Sequence, residues 1–285
     1  MVRAPKVSEP LNRALAAVGD VSGIVHIAGV QGGCISEARC VQTKTRSYFL
    51  KTGRHGAFHA EAHGLRLLRE SGSLDVPSVL AVDDDFLLLE WITCRSETDF
   101  AALGRGLAAL HEVTRATYGL ERDNFIGASP QVNTQETDWV LFFGHHRLLE
   151  QARLARHRGY WSSSRESKLN RLVERLGDFL PEQPPSSLLH GDLWRGNILS
   201  AADGKPVIID PAVYFGDRET DLAFSRLFGG LPPVFYDAYA ETWPLETNWE
   251  DRLDVYNLYH LLNHLNLFGE GYGSDVDRIL SKLGT

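Results

Sequence analysis

"SLLHGDLWRGNILS", residues 187–200, crowds a histidine, an aspartate, a tryptophan, an arginine and an asparagine between two short apolar runs. The continuation "NILSAADGKPVIIDP", residues 197–211, reads as a hairpin: Asn197 to Ser200 as one strand, a turn around Asp203 and Gly204, and Pro206 to Asp210 as the return. Antiparallel strands bring the first residue of one beside the last residue of the other. Asn197 and Asp210 are therefore expected to face each other at the open end, about 5 Å apart. Asp192 enters the same end. Crowded carboxylates repel unless one takes a proton or a cation joins them. Magnesium answers that need, because it takes hard oxygen ligands, commonly one or two protein carboxylates completed by phosphates and water. The rival account is a polar turn in which Asp192 and Asn197 only cap the local backbone.

The remaining composition narrows the function classes. With 285 residues, 43% apolar and 23% charged, the chain has the make-up of a soluble globular protein, as one large domain or two lobes. No stretch approaches the about 20 apolar residues of a membrane span. The amino-terminal "MVRAPKVSEPLNRALAAVGD" mixes charges around a short apolar patch, so no export signal is read and the cytoplasm is the expected location. A net charge of −8 argues against binding nucleic acid through phosphate contacts. Neither nucleic acid nor membrane is expected as a partner, and the chain is expected to act as a monomer. Cys34, Cys40 and Cys94 are too few and too irregularly spaced for a disulfide framework or a zinc site.

Periodicity divides the chain. Residues 21–51 alternate loosely and are broken by glycines, which predicts strands and tight turns. "HGAFHAEAHGLRLLRES" then turns helical, with Phe58, Glu61, Leu65 and Leu68 on one face. "VPSVLAV" and "DFLLLEWI" add two strands around a turn at Asp83–Asp85. Beyond Ile92 the pattern is mostly helix, beginning with "FAALGRGLAALHEVT" and continuing at about 138–157, 165–180, 219–228, 233–242 and 250–268. The expected architecture is α+β in two lobes: a small sheet-plus-helix lobe over 1–92 and a larger, mainly helical lobe over 93–285. A linker near Ile92–Thr98 would join them, with a ligand cleft between.

Glu61 shares its helix face with Phe58 and Leu65, a costly place for a charge without a partner. Lys51, one of only six lysines and placed at the end of "SYFL", is the available cation. A strand lysine held by a helix glutamate is how protein kinases present an ammonium to nucleotide phosphates. His190, Gly191, Asp192, four residues and Asn197 likewise match the spacing of a kinase catalytic loop, whose Asp accepts the hydroxyl proton while the Asn and a later Asp hold metal. Gly29, Gly32 and Gly33 precede Lys51 in "GVQGGCISEA", where backbone amides would reach phosphates; Cys34 lies in the same loop. Main-chain groups at Glu90 and Ile92 would meet the edge of adenine, an assignment resting on chain order alone. Protein kinases themselves are disfavoured. Asp210-Pro211-Ala212 stands where they carry Asp-Phe-Gly, no Ala-Pro-Glu follows, and Gly191 replaces an arginine.

The chain resembles the fructosamine kinase (ketosamine 3-kinase) family, a branch of the aminoglycoside-phosphotransferase-like kinases, over nearly its whole length. "HGD" with a later "D" is common to many small-molecule kinases; "HGDLW", "DPAVYFGDRE" and "LNHLNLFG" are far more particular. The resemblance implies a protein-kinase-like fold and ATP- and Mg2+-dependent phosphorylation of the sugar 3-hydroxyl of a ketosamine, free or on a glycated protein lysine, leading to deglycation. By position, Asp192 would be the base, Asn197 and Asp210 the metal ligands, Lys51 with Glu61 the phosphate clamp, and Trp194 a wall of the sugar pocket. Asp217 and Glu219 would meet a substrate amine or be solvated, Asp221 would brace the catalytic loop, and His264 is either a core histidine or a pocket residue. Arg195 departs from the small residue this family often carries, which bears on acceptor size or charge. The alternatives are another sugar, aminoglycoside or amino-alcohol kinase of the same fold, or a nucleotide-binding pseudokinase.

Overall fold

The computed structural model describes residues 9–30, 37–53, 56–95 and 97–284, which form two compact units: 1–99 with 196–210, and 100–195 with 211–285. This division differs from a single cut at residue 92. Asp75 bridges Val207, Cys94 bridges Ala201, and the Arg95 N–H donates to the Ser200 carbonyl at 2.9 Å, so the hairpin belongs to the N-terminal unit.

The N-terminal unit is a five-stranded antiparallel sheet of β1 (Ile24–Gly29), β2 (Glu37–Thr43), β3 (Ser47–Thr52), β4 (Val79–Asp83) and β5 (Phe86–Glu90), in the order β1-β2-β3-β5-β4. Alternation along β3 sends Tyr48 and Leu50 to one face and Lys51 to the other. The first face packs with Val41, Phe86 and Leu88 against Leu11, Ala14 and Leu15 of α1 (Glu9–Ala17), a helix additional to the one expected. Across the other face runs α2 (Ala57–Ser71), burying Phe58, Ala62, Leu65 and Leu68. The hairpin pairs Ile198 with Ile208 and Ser200 with Pro206.

The C-terminal unit is built from α3 (Phe100–His111), α4 (Trp139–Phe143), α5 (Glu150–His157), α6 (Ser163–Glu174), α7 (Glu219–Leu227), α8 (Pro233–Thr242), α9 (Leu253–Phe268) and α10 (Gly273–Leu283). A wider π turn, Gly144–Leu149, joins α4 to α5. A small sheet sets Ser186–Leu189 between Tyr214–Gly216 and Thr114–Arg115. Strand Ser186–Leu189 is wholly buried and delivers the chain to His190. Its core gathers Trp139, Phe142, Phe143, Leu172, Tyr256 and Leu262, among others. Among the described residues no helix is long and apolar enough to cross a membrane.

Helices α3 and α8 meet where α3 carries Gly104: a Cβ there would collide with the Phe235 carbonyl and lie 3.0 Å from the Tyr239 nitrogen. Backbone cannot swing aside as a flexible side chain can. Overpacking of this kind costs about 1–3 kcal/mol and outweighs the helix-propensity gain of alanine over glycine, about 1 kcal/mol. Gly104→Ala is therefore expected to lower the urea midpoint at unchanged slope. Gly177→Ala, whose Cβ meets nothing within 4 Å, serves as the control.

Candidate active site

Lys51 occupies the central strand of the N-terminal sheet and is buried to 7% exposure. Its Nζ donates to Glu61 Oε1 at 2.8 Å and to Asp210 Oδ1 at 2.6 Å. Burial works against both charges. At Lys51 the two carboxylates more than offset it and hold the ammonium above its usual range. At Glu61 burial outweighs the pull of Lys51 and pushes the carboxyl up. Asp210 keeps about a third of its side chain exposed (34%) and is one of two non-glycine residues with positive φ among those described, at 54°. Aspartate is among the few residues that adopt this conformation at small cost.

The hairpin brings Asn197 and Asp210 to the same end, with a register one residue away from that expected. Ile198 pairs with Ile208, and the Ile209 N–H donates to the Asn197 carbonyl at 3.0 Å, so the position opposite Asn197 is Ile209. The cause is local: Asn197 closes the 3-10 turn Arg195–Asn197, and the strand begins only at Ile198. Asn197 is buried. At the end of β5, the Glu90 N–H donates to the Ser78 carbonyl at 2.9 Å and its carboxylate accepts from the Ser78 hydroxyl at 2.7 Å. Among the described residues the Ile92 N–H has no hydrogen-bond partner. Gly32, Gly33 and Cys34 lie outside the described residues.

In the C-terminal unit, Asp192 follows a turn whose backbone N–H groups are all taken by acceptors from within the unit. The His190 and Gly191 N–H groups donate to Asp221 Oδ2 and Oδ1 at 2.7 and 2.8 Å. The Asp192 N–H donates to His190 Nδ1 at 3.2 Å, and the Ala212 N–H to the His190 carbonyl at 2.9 Å. Gly191 has φ 79°, and a Cβ there would strike the Ala212 carbonyl, which explains glycine where protein kinases place arginine. Gln131 Nε2 donates to the Ala212 carbonyl at 3.0 Å, Asn124 Nδ2 to the Val213 carbonyl at 2.7 Å, and the Tyr259 hydroxyl to Gln131 Oε1 at 2.5 Å. A buried polar network thus fixes the segment against which the turn leans. Asp221 braces the loop as expected.

Asp217 and Glu219 are neither solvated nor open. Asp217 is 3% exposed, accepting the Tyr256 hydroxyl at 2.5 Å and the Glu219 N–H at 3.0 Å. Glu219 receives a two-pronged contact from Arg252, Nε and Nη2 each at 2.6 Å. Both expectations for them, substrate-facing or solvated, give way to internal partners on the segment Arg252–Tyr256. Burial, then the neighbouring Glu219, pushes the Asp217 carboxyl up to about 6.

Trp194 is not a core residue: it is 39% exposed. Its ring lies edge-on to Phe228 at 6.2 Å; Phe228 is 5.0 Å from His264, and His264 is 5.5 Å from Phe268 and 5.0 Å from Tyr272. Three of the chain's exposed large hydrophobic residues, Trp194, Phe228 and Phe268, thus share one aromatic wall. Within it His264 Nδ1 lies 2.8 Å from the His260 carbonyl, so Nδ1 carries the proton and Nε2 is an acceptor. Burial holds this imidazole below its usual range and therefore neutral. Phe228, Phe268 and Tyr272 escaped the sequence reading. Their signal is an aromatic at a helix end before glycine, in "LFGG" and "LFGEGY". Arg195 sets its guanidinium 5.2 Å from the Phe100 ring centre.

Residues 8–285 match the model of the fructosamine kinase family. The "Probable ketoamine kinase" of Enterococcus faecium is 42% identical over 259 residues, 88% of this chain and 92% of that one. The chloroplastic protein-ribulosamine 3-kinase of Oryza sativa subsp. indica is 39% identical over 287 residues, 95% of this chain and 82% of that one. The crystal structure of a candidate fructosamine-3-kinase from Haemophilus somnus superposes with a TM-score of 0.87 at 29% identity, covering 95% of each chain. The two-lobed α+β fold is thereby of the protein-kinase-like type.

The buried Asp217 carries a test of its own. A carboxyl whose native value, about 6, lies above the unfolded value near 4 binds more protons folded than unfolded between the two. Its contribution is present in full below about pH 4 and is lost as pH rises through about 6. Asp217→Asn keeps an oxygen for Tyr256 and removes the titration. Denaturant midpoints measured from pH 4.5 to 7 are expected to fall less steeply in the variant than in the native chain.

Proposed function

Because the chain belongs to the fructosamine kinase family, we propose that it transfers the γ-phosphoryl group of ATP to the 3-hydroxyl of ketosamines, on fructosamine, ribulosamine or erythrulosamine adducts. The observation that carries the reading is the Lys51 ammonium bonded to both Glu61 and Asp210. A buried lysine fixed by a helix carboxylate presents one directed positive charge to a nucleotide's phosphates, and the second carboxylate beside it, Asp210, would hold the accompanying metal ion. The donor set fits magnesium, since Asp210 and Asn197 both offer hard oxygens. When bound, the ion supplies charge neutralisation on the phosphates.

The chain's own residues divide the remaining work. Asp192 accepts the proton of the sugar 3-hydroxyl while that hydroxyl's oxygen bonds to the γ-phosphorus. The bond from that phosphorus to the bridging oxygen breaks, and ADP leaves with the electron pair. Trp194 and its aromatic neighbours cover the C–H face of the sugar, and the His264 Nε2 accepts from a hydroxyl or from the adduct's ammonium. Phosphate at C3 is a better leaving group than hydroxide, so the product breaks down and frees the amine, as deglycation requires. Glycated protein lysines are acceptors in the same sense, provided the sugar reaches the wall.

A turnover screen with ATP and magnesium over ketosamines of differing sugar length, beside aminoglycosides, tests the acceptor class. Phosphate is expected in the ketosamines, and incorporation confined to aminoglycosides would overturn the assignment. Asp192→Asn is expected to lower turnover by about 10²-fold or more while ATP binding stays nearly native, the range of a lost general base. Asp210→Ala is expected instead to weaken productive magnesium–ATP binding. Equal and mild effects of the two changes would contradict the roles.

A further inference from the structure

Asp221 does not grip the catalytic turn unaided. His111, the fully buried last residue of α3, sets Nε2 3.2 Å from Asp221 Oδ2 and Nδ1 2.8 Å from the Tyr239 hydroxyl of α8. Burial holds this imidazole below its usual range, so it is neutral and carries one ring proton. Asp221 is also buried, which would raise its carboxyl, but bonds and charges around it, His111 first, hold it low and ionised. A carboxylate only accepts, which places the proton on Nε2; Nδ1 then accepts from Tyr239. Arg218 stands behind, its Nη1 3.5 Å from the Tyr239 hydroxyl and its two arms on the Trp243 and Pro244 carbonyls at 3.1 and 2.6 Å.

The chain of donors runs in one direction, from Tyr239 to His111 to Asp221, and ends where Asp221 takes the two backbone N–H groups immediately before Asp192. We propose that His111 is a positioning residue for phosphoryl transfer, fixing the rotation of the Asp221 carboxylate and through it the backbone that aims Asp192. A carboxylate gripped only by two amides of a single turn moves with that turn. A third donor from a packed helix ties it to the rigid unit and satisfies a lone pair that burial would otherwise leave bare. The catalytic half of the inference rests on Asp192 being the base; the structural half does not.

Two amides separate the roles of the two ring nitrogens. A glutamine amide at 111 reaches about as far as Nε2, and an asparagine amide about as far as Nδ1. His111→Gln therefore preserves the bond to Asp221, whereas His111→Asn preserves only the one to Tyr239, and His111→Leu preserves neither. In the full chain, deuterium exchange in peptides spanning 188–193 is expected to quicken about tenfold or more in the Asn and Leu variants and to stay within about threefold of native in the Gln variant. The value of kcat should follow the same order, falling about 10–100-fold in Asn and Leu with KM for ATP nearly unchanged, and recovering most of its value in Gln. Native exchange in His111→Leu would overturn the inference. So would equal quickening in all three variants, or a rise spread over the whole unit in step with a lower Tm, since either would mark a merely structural histidine. A native chain that turns over no ketosamine would sink the functional reading alone, because the exchange result needs no substrate.

Discussion

A single buried ammonium, that of Lys51, imposes the arrangement of the N-terminal unit. Left alone in a sheet interior it would lose its proton or unfold its surroundings. It is tolerated because two carboxylates from separate parts of the chain converge on it: Glu61 from α2 and Asp210 from the far end of the hairpin, 159 residues away in sequence. The cost of removing either partner is larger than the value of the intact pair, since an uncompensated buried charge remains. The pairing therefore acts as a constraint more than as a source of stability. It fixes α2 across one face of the sheet and explains why the hairpin packs with the N-terminal unit.

The C-terminal unit solves the opposite problem with a buried anion. Asp221 is satisfied by N–H donors, two of them backbone, and those two bonds survive any change of side chain within the turn carrying Asp192. Gly191 completes the device by letting the Ala212 carbonyl approach where a Cβ would stand. Rigidity in the backbone matters here because positioning within a fraction of an ångström decides how much the base proposed at Asp192 contributes.

How far these features are legible in the sequence follows from how local their causes are. The Lys51–Glu61 pair was readable, because a charge on the apolar face of a short helix demands a partner and few lysines are on offer. The turn before β5 is readable from its aspartates, Asp83–Asp85, and most helix positions from periodicity. The hairpin register was misjudged by one residue, since it depends on a 3-10 turn ending at Asn197 that carries no periodic signal. The internal partners of Asp217 and Glu219, where a substrate amine or solvent is expected, are hidden for a related reason. Their partners Tyr256 and Arg252 lie 39 and 33 residues downstream, and nothing near the acids announces them. The division of the chain shares the cause: residues 196–210 join a unit whose remaining sequence ended about a hundred residues earlier.

The aromatic wall obeys a different logic from either charged centre. Tyr272, ending the short turn after α9, leans on the core, but Phe228 follows the end of α7 and Phe268 closes α9, both exposed, so neither is wedged into a core whose volume must be conserved. Replacing such residues alters the surface offered to an acceptor while leaving the buried ion pairs and the backbone-held turn untouched. The groups assigned to phosphoryl chemistry, by contrast, are fixed by contacts that tolerate little change in size or charge. A scaffold built this way can hold its chemistry constant while the acceptor varies. On that ground Arg195, exposed beside the turn and set against Phe100, is proposed to bear on which acceptor is taken and not on how phosphate moves.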